Sequence, residues 1–310
     1  MKTLLFPGQG SQKVGMGSDF FNKFDLVKKI FSEADKTLGF SLSKLILEGP
    51  NEDLVLTQNT QPAIMTLSYS IFKVLENEYG LKLKNFKFFA GHSLGEYSAL
   101  VCSKSLNFND ALFLLRERGK AMQNAVPVGQ GAMLAILGIK IDDVESEISE
   151  FQSSNLVEIA NDNAPGQIIV SGTISGINNL QNKLKNKKIK SILLPVSAPF
   201  HCSLMKTASE DMREKINSTN FREPEIEIIS NINALPQRKP ETIKELLINQ
   251  IYSTVRWRES IEYMQKGQIE TFIEIGPGKV LSGMTKRIAR DAKIINIDKV
   301  EDIEKYKNEF

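Results

Sequence analysis

Apolar residues fall into short continuous or alternating runs separated by longer stretches of helical spacing. Residues 3–6 and 86–90 read as strands, and apolar positions three and four apart between them predict helices over 25–38 and 61–78. That order suggests an α/β layer fold with parallel strands. A helix over 110–124, N-capped by Asn109 or Asp110, should end before the Val126-Pro127-Val128-Gly129 segment.

The pattern changes beyond that Pro/Gly boundary. A strand over 132–139, a helix over 142–151, a hairpin of 157–161 with 167–171 around Ala164-Pro165-Gly166, a helix over 175–185 and a strand over 189–196 follow in turn. Strand, helix, strand, strand, helix, strand is the order of a ferredoxin-like unit. It reads as an insertion over 128–197 between the two halves, 1–127 and 198–310, of a larger domain. After Pro199 the alternation resumes with helix 203–216, strand 226–230, helices 241–251 and 257–265, strand 271–275, a Gly276-Pro277-Gly278 turn, a helix, and strand 293–297. No internal repeat is visible.

Composition narrows the function classes. The 310 residues carry 39 Lys plus Arg against 37 Asp plus Glu, so net charge demands neither a nucleic-acid nor a membrane partner. The apolar run at the N-terminus is cut short by Pro7, and no stretch reaches membrane-spanning length. With only two cysteines, Cys102 and Cys202, a reducing, cytoplasmic setting is expected. The lysine-rich stretch 183–190 reads as a solvated face. Two histidines and no close pair of cysteines leave no usual zinc spacing, and neither a metal nor a cofactor is expected. Gly276-Pro277-Gly278-Lys279 lacks the first glycine of a phosphate loop, because Ile273 stands in its place.

The chemistry concentrates at Gly91-His92-Ser93-Leu94-Gly95, a G-x-S-x-G sequence directly after a predicted strand and before a helical stretch. A sharp strand-to-helix turn projects the serine hydroxyl outward, and the Leu94 N–H then faces a developing oxyanion. A serine hydroxyl needs a base. His92 shares the tight turn and should direct its ring away, which leaves His201. Acids between Ser93 and His201 have no distinctive setting, so the group orienting the imidazole stays open between a carboxylate and a main-chain carbonyl.

Five segments in order then resemble the malonyl-CoA:acyl carrier protein transacylase family: FPGQGSQ at 6–12, GHSLGEYSAL at 91–100, RERGKAM at 116–122, APFHCSLM at 198–205 and EIGPGKVL at 274–281. The resemblance runs almost end to end. It implies an α/β-hydrolase-like large domain with a parallel sheet, interrupted by the ferredoxin-like subdomain. It also implies an oxyanion hole from the N–H groups of Gln9 and Leu94, and Arg118 as the grip on the malonyl carboxylate. Gln250 would lend its main-chain carbonyl to His201, Asn161 would lie near the site, and Phe200 would crowd out an α-methyl group. Arg116, differently placed on its helix, is expected to be structural. The implied activity is transfer of malonyl from malonyl-CoA to holo acyl carrier protein through a malonyl-serine, by a monomer. Two rivals share these residues: an esterase or thioesterase using water as second acceptor, and an inert carrier-binding module.

Overall fold

The computed structural model describes residues 1–196 and 198–310. The strands are β1 (Lys2–Phe6), β2 (Phe86–Gly91), β3 (Gly131–Leu137), β4 (Val157–Ala164), β5 (Gln167–Thr173), β6 (Lys190–Leu193), β7 (Glu227–Ile229), β8 (Pro236–Gln237), β9 (Thr271–Ile275) and β10 (Lys293–Ile297). They form two sheets. The larger has the order β10-β9-β1-β2-β7-β8, parallel except for the β7–β8 hairpin. The smaller is antiparallel with the order β4-β5-β3-β6. Counting its strands along the chain, that order is 2-3-1-4, with one helix in each crossover: the ferredoxin-like arrangement.

The parallel strands are apolar on both faces because helices cover both. Leu4, Phe6 and Phe89 point into the layer made by helices Asp25–Leu38, Thr57–Glu78 and Phe108–Asn124. Their neighbours Leu5, Phe88 and Ala90 point the other way, onto helices Trp257–Lys266 and Val280–Ile288. A third cluster, including Leu134, Ile136, Val170, Ile177 and Leu180, gives the small sheet its own core.

Topology fixes where a site can form. β1 is flanked by β2 on one side and by β9 on the other, so the connections leaving the two edges diverge there. Such a point opens a crevice at the carboxyl ends of the strands. Phe6 pairs with Gly91, which sets the Pro7-Gly8-Gln9 loop beside the turn at Ser93.

Several boundaries differ from the sequence reading. The strand expected over 189–196 is confined to β6. Leu194 N–H still reaches Met133 O at 2.9 Å, but Pro195 has no N–H with which to continue the ladder. The helix expected from 110 begins at Phe108 with Asn107 as N-cap, and a 3₁₀ turn, Ser203–Met205, precedes the helix Lys206–Ser218. The helix expected from 61 starts at Thr57, so Pro62 lies inside it, and the Gln58 carbonyl that Pro62 cannot bond accepts from Arg116 Nη1 at 3.1 Å. The short helices Ser18–Lys23, Leu42–Glu48 and Asn51–Leu54 had no clear periodic signal. Residue 197, the expected end of the insertion, lies outside the described residues. In the lysine-rich stretch, Lys183 and Lys187 pair with Glu147 on the neighbouring helix.

Candidate active site

The turn after β2 places Ser93 at φ 55°, the left-handed region, where a non-glycine residue is strained by on the order of 1–3 kcal/mol. The flanking glycines permit this shape. A Cβ on Gly91 would lie 1.9 Å from the carbonyl of Gly95, and one on Gly95 would lie 2.2 Å from Phe6 O. The turn therefore packs backbone against backbone, and helix Gly95–Cys102 starts immediately behind it.

Ser93 Oγ lies 2.8 Å from His201 Nε2. On the other side of the ring, His201 Nδ1 lies 2.9 Å from the main-chain carbonyl of Gln250, at the end of helix Pro240–Gln250. A carbonyl can only accept, so the proton sits on Nδ1 and Nε2 is left free to accept from the serine. The orienting group left open by the sequence is thus a carbonyl. His201 is 5% exposed, and burial, aided by the Arg118 charge, pushes its pKa down to about 3.

His92 turns away. Its Nε2 lies 2.8 Å from Asn163 Oδ1 and its ring packs on Trp257.

Arg118 is 1% exposed on helix Phe108–Asn124. Its Nη1 donates to Gln61 Oε1 at 2.7 Å, and its Nη2 donates to Gln250 Oε1 at 2.8 Å and to Ser93 Oγ at 3.1 Å. Among the described residues it makes no ion pair, and its buried Nε has no partner. Burial lowers its pKa from the ordinary value, with Tyr97 and Glu96 opposing. A guanidinium so placed is a buried cation directed at Ser93 Oγ. Arg116, in contrast, bonds Gln58 O and Asn59 at the helix's side and stacks on Phe40.

Gln9, Leu94, Asn161 and Phe200 line one cleft with Ser93, His201 and Arg118. Met133 and Asn161 come from the small sheet, so both sheets wall the cleft. Of the sequence-predicted residues, Gln250 does not line it, and touches His201 and Arg118 from behind.

Residues 3–307 match the acyl transferase domain family. The malonyl CoA-acyl carrier protein transacylase of Bacillus subtilis (strain 168) is 44% identical over 302 residues, covering 97% of this chain and 94% of that protein. This chain belongs to the malonyl-CoA:acyl carrier protein transacylases. Among solved structures, an acyl-carrier-protein-S-malonyltransferase from Bartonella henselae superposes with a TM-score of 0.96 at 41% identity, covering 99% of this chain and 98% of that one. A second match, a type II PKS acyl-carrier protein in complex with its malonyl-transacylase, has a TM-score of 0.96 at 35% identity, covering 100% and 99%.

In this transacylase-family acyltransferase the ground beneath the serine is a polar network that sequence reasoning missed. Glu96 Oε2 accepts from Asn231 N–H at 3.1 Å and from Gln250 Nε2 at 2.7 Å. Asn231 in turn contacts the main chain on both sides of His92. Burial pushes Glu96 up to about 7. A signal existed for Glu96, an acid in an otherwise apolar helix start. Asn231 and Gln61 sit in unremarkable polar contexts, and only the fold brings them here.

Proposed function

We propose that this enzyme transfers malonyl from malonyl-CoA to the phosphopantetheine thiol of holo acyl carrier protein through a malonyl-Ser93 intermediate. His201 Nε2 takes the Ser93 proton as Oγ bonds to the thioester carbonyl carbon, and the oxyanion rests on the N–H groups of Gln9 and Leu94. The C–S bond then breaks and the departing thiolate receives the proton from His201. The carrier thiol returns by the same steps in reverse, yielding malonyl-carrier and free Ser93.

The observation that carries the reading is Arg118, a buried guanidinium that makes no ion pair among the described residues and is hydrogen-bonded to Ser93 Oγ. A substrate with a free carboxylate supplies the opposite charge. That charge also offsets the field that helps hold His201 unprotonated, so the base strengthens when malonyl is bound. Phe200 on the cleft wall limits room for an α-methyl, which in an apolar pocket changes transfer by about 1–3 kcal/mol. The name of the Bacillus subtilis relative and the carrier-bound complex support the carrier protein as acceptor rather than water.

The test compares acyl groups. Arg118→Ala is expected to slow malonyl transfer roughly 10- to 100-fold relative to acetyl transfer, the order of one lost charge-assisted contact. An equal loss for both groups, measured as kcat/KM, contradicts the carboxylate grip.

A further inference from the structure

β7 stops at Ile229, which pairs with Ala90 of β2. Continuing that register by two residues sets Asn231 opposite His92. In a parallel ladder, the residue at that place gives its N–H to the carbonyl of the residue before its partner and accepts from the N–H of the residue after. Here those groups are Gly91 O and Ser93 N–H.

The main chain of Asn231 does neither. Its N–H is taken by Glu96 Oε2 at 3.1 Å, and its carbonyl accepts from Arg256 N–H at 2.8 Å. The side chain makes both bonds instead: Nδ2 donates to Gly91 O at 2.7 Å and Oδ1 accepts from Ser93 N–H at 2.7 Å. The amide orientation follows from those partners, one a carbonyl and the other an N–H. A carboxamide thus occupies the place of a peptide group where the strand has run out. It clamps the main chain on both sides of His92, at the point where β2 turns to φ 55° at Ser93.

We propose that Asn231 is a positioning residue for acyl transfer: its carboxamide replaces a rung of the ladder, holds Ser93 in the left-handed conformation, and thereby keeps Oγ on His201. The inference rests on Ser93 as the nucleophile. It separates two duties within one buried network: the Asn231 carboxamide holds the main chain of the turn, its Oδ1 also accepting from Gln250 Nε2 at 3.4 Å, whereas Arg118 faces the acyl group. Loss of Asn231 should therefore lower the rate for every acyl group alike.

The experiment is single-turnover acylation by malonyl-CoA and by acetyl-CoA, followed by intact-protein mass in rapid-quench samples. For Asn231→Ala, acylation is expected to slow roughly 100-fold, the loss typical of a reacting atom displaced by about 1 Å, with the malonyl-to-acetyl ratio unchanged. Malonyl-CoA affinity, measured in a Ser93→Ala background, should not change. Asn231→Asp keeps the shape but faces Gly91 O with an acceptor. Its rate relative to wild type at each pH should recover as the medium is acidified and the carboxyl regains a proton to donate. Glu96, Arg118, His92 and His201 surround the turn, so the series is repeated in a Glu96→Gln background, which separates titration of the new carboxyl from that of the neighbouring acid. Either folded variant acylating at the wild-type rate overturns the proposal, as does an Asp variant whose relative rate ignores pH. Should Asn231→Ala not fold, the Asp variant decides. If wild type itself forms no Ser93 adduct, it is the acyl-serine reading that fails.

Discussion

Burial and the Arg118 guanidinium together push the His201 imidazole down to about 3, so this ring is neutral through the whole physiological range. An ordinary histidine would give an acid limb near 6.5 in kcat/KM. Here the limb assigned to His201 is expected well below pH 5, and Arg118→Ala should move it upward without restoring 6.5, since burial is the larger cause. A wild-type limb near 6.5 that persists in Glu96→Gln would contradict this. The same depression acts on stability with a definite sign. Below pH 6.5 the unfolded chain's histidine takes up a proton that folded His201 refuses until about 3, so its contribution turns against the fold as pH falls through that window. Glu96 and Glu274, both raised to about 7 by burial, act oppositely: their contribution is present below 4.5 and fades as pH rises through 7.

Among the elements, the helix that carries Arg118 is set by its neighbour Gly119. A Cβ there would lie 2.4 Å from Gln58 Cα and 2.8 Å from Thr57 O, so this glycine lets the helix rest directly on the start of helix Thr57–Glu78, where Gln61 meets Arg118. Gly119→Ala is expected to cost about 1–3 kcal/mol through overpacking and to lower the malonyl-to-acetyl ratio as Arg118 and Gln61 separate. Denaturant midpoints and acyl selectivity check the two effects, and an unchanged selectivity in a destabilised variant would uncouple them. Elements such as these were largely legible in the sequence. The continuous apolar runs of β1 and β2 follow from burial on both faces, the helical spacing over 110–124 from burial on one, and the turn at Ser93 from its two glycines. The missed pieces have a common cause: Asn231 and Gln61 owe their place to contacts far along the chain, and a polar residue in a polar context carries no periodic signal. The Gln250 carbonyl entered only through resemblance, because a main-chain group leaves no mark on residue identity.

At the scale of the molecule, the cleft exists because the small sheet is fastened to the large unit. Asp162 N–H bonds Val255 O at 3.0 Å and Val255 N–H bonds Ala160 O at 2.9 Å, while the buried Asp162 carboxylate meets Arg258 Nη2 at 2.7 Å. Arg258→Met strands that carboxylate and is expected to lower stability by about 3 kcal/mol, whereas adding Asp162→Asn should recover part of the loss. Urea unfolding of the single and double variants reads this directly, and additive losses would show that the pair is not coupled. No helix among the described residues is long and apolar enough to cross a membrane. The central claim, that Ser93 carries the acyl group between two thiols, is tested most directly by intact-protein mass spectrometry of enzyme mixed with malonyl-CoA and then chased with holo acyl carrier protein. The account predicts one malonyl adduct, located on Ser93, absent in Ser93→Ala, and lost to the carrier faster than to water. No adduct on Ser93, or an adduct that the carrier does not discharge, would contradict it.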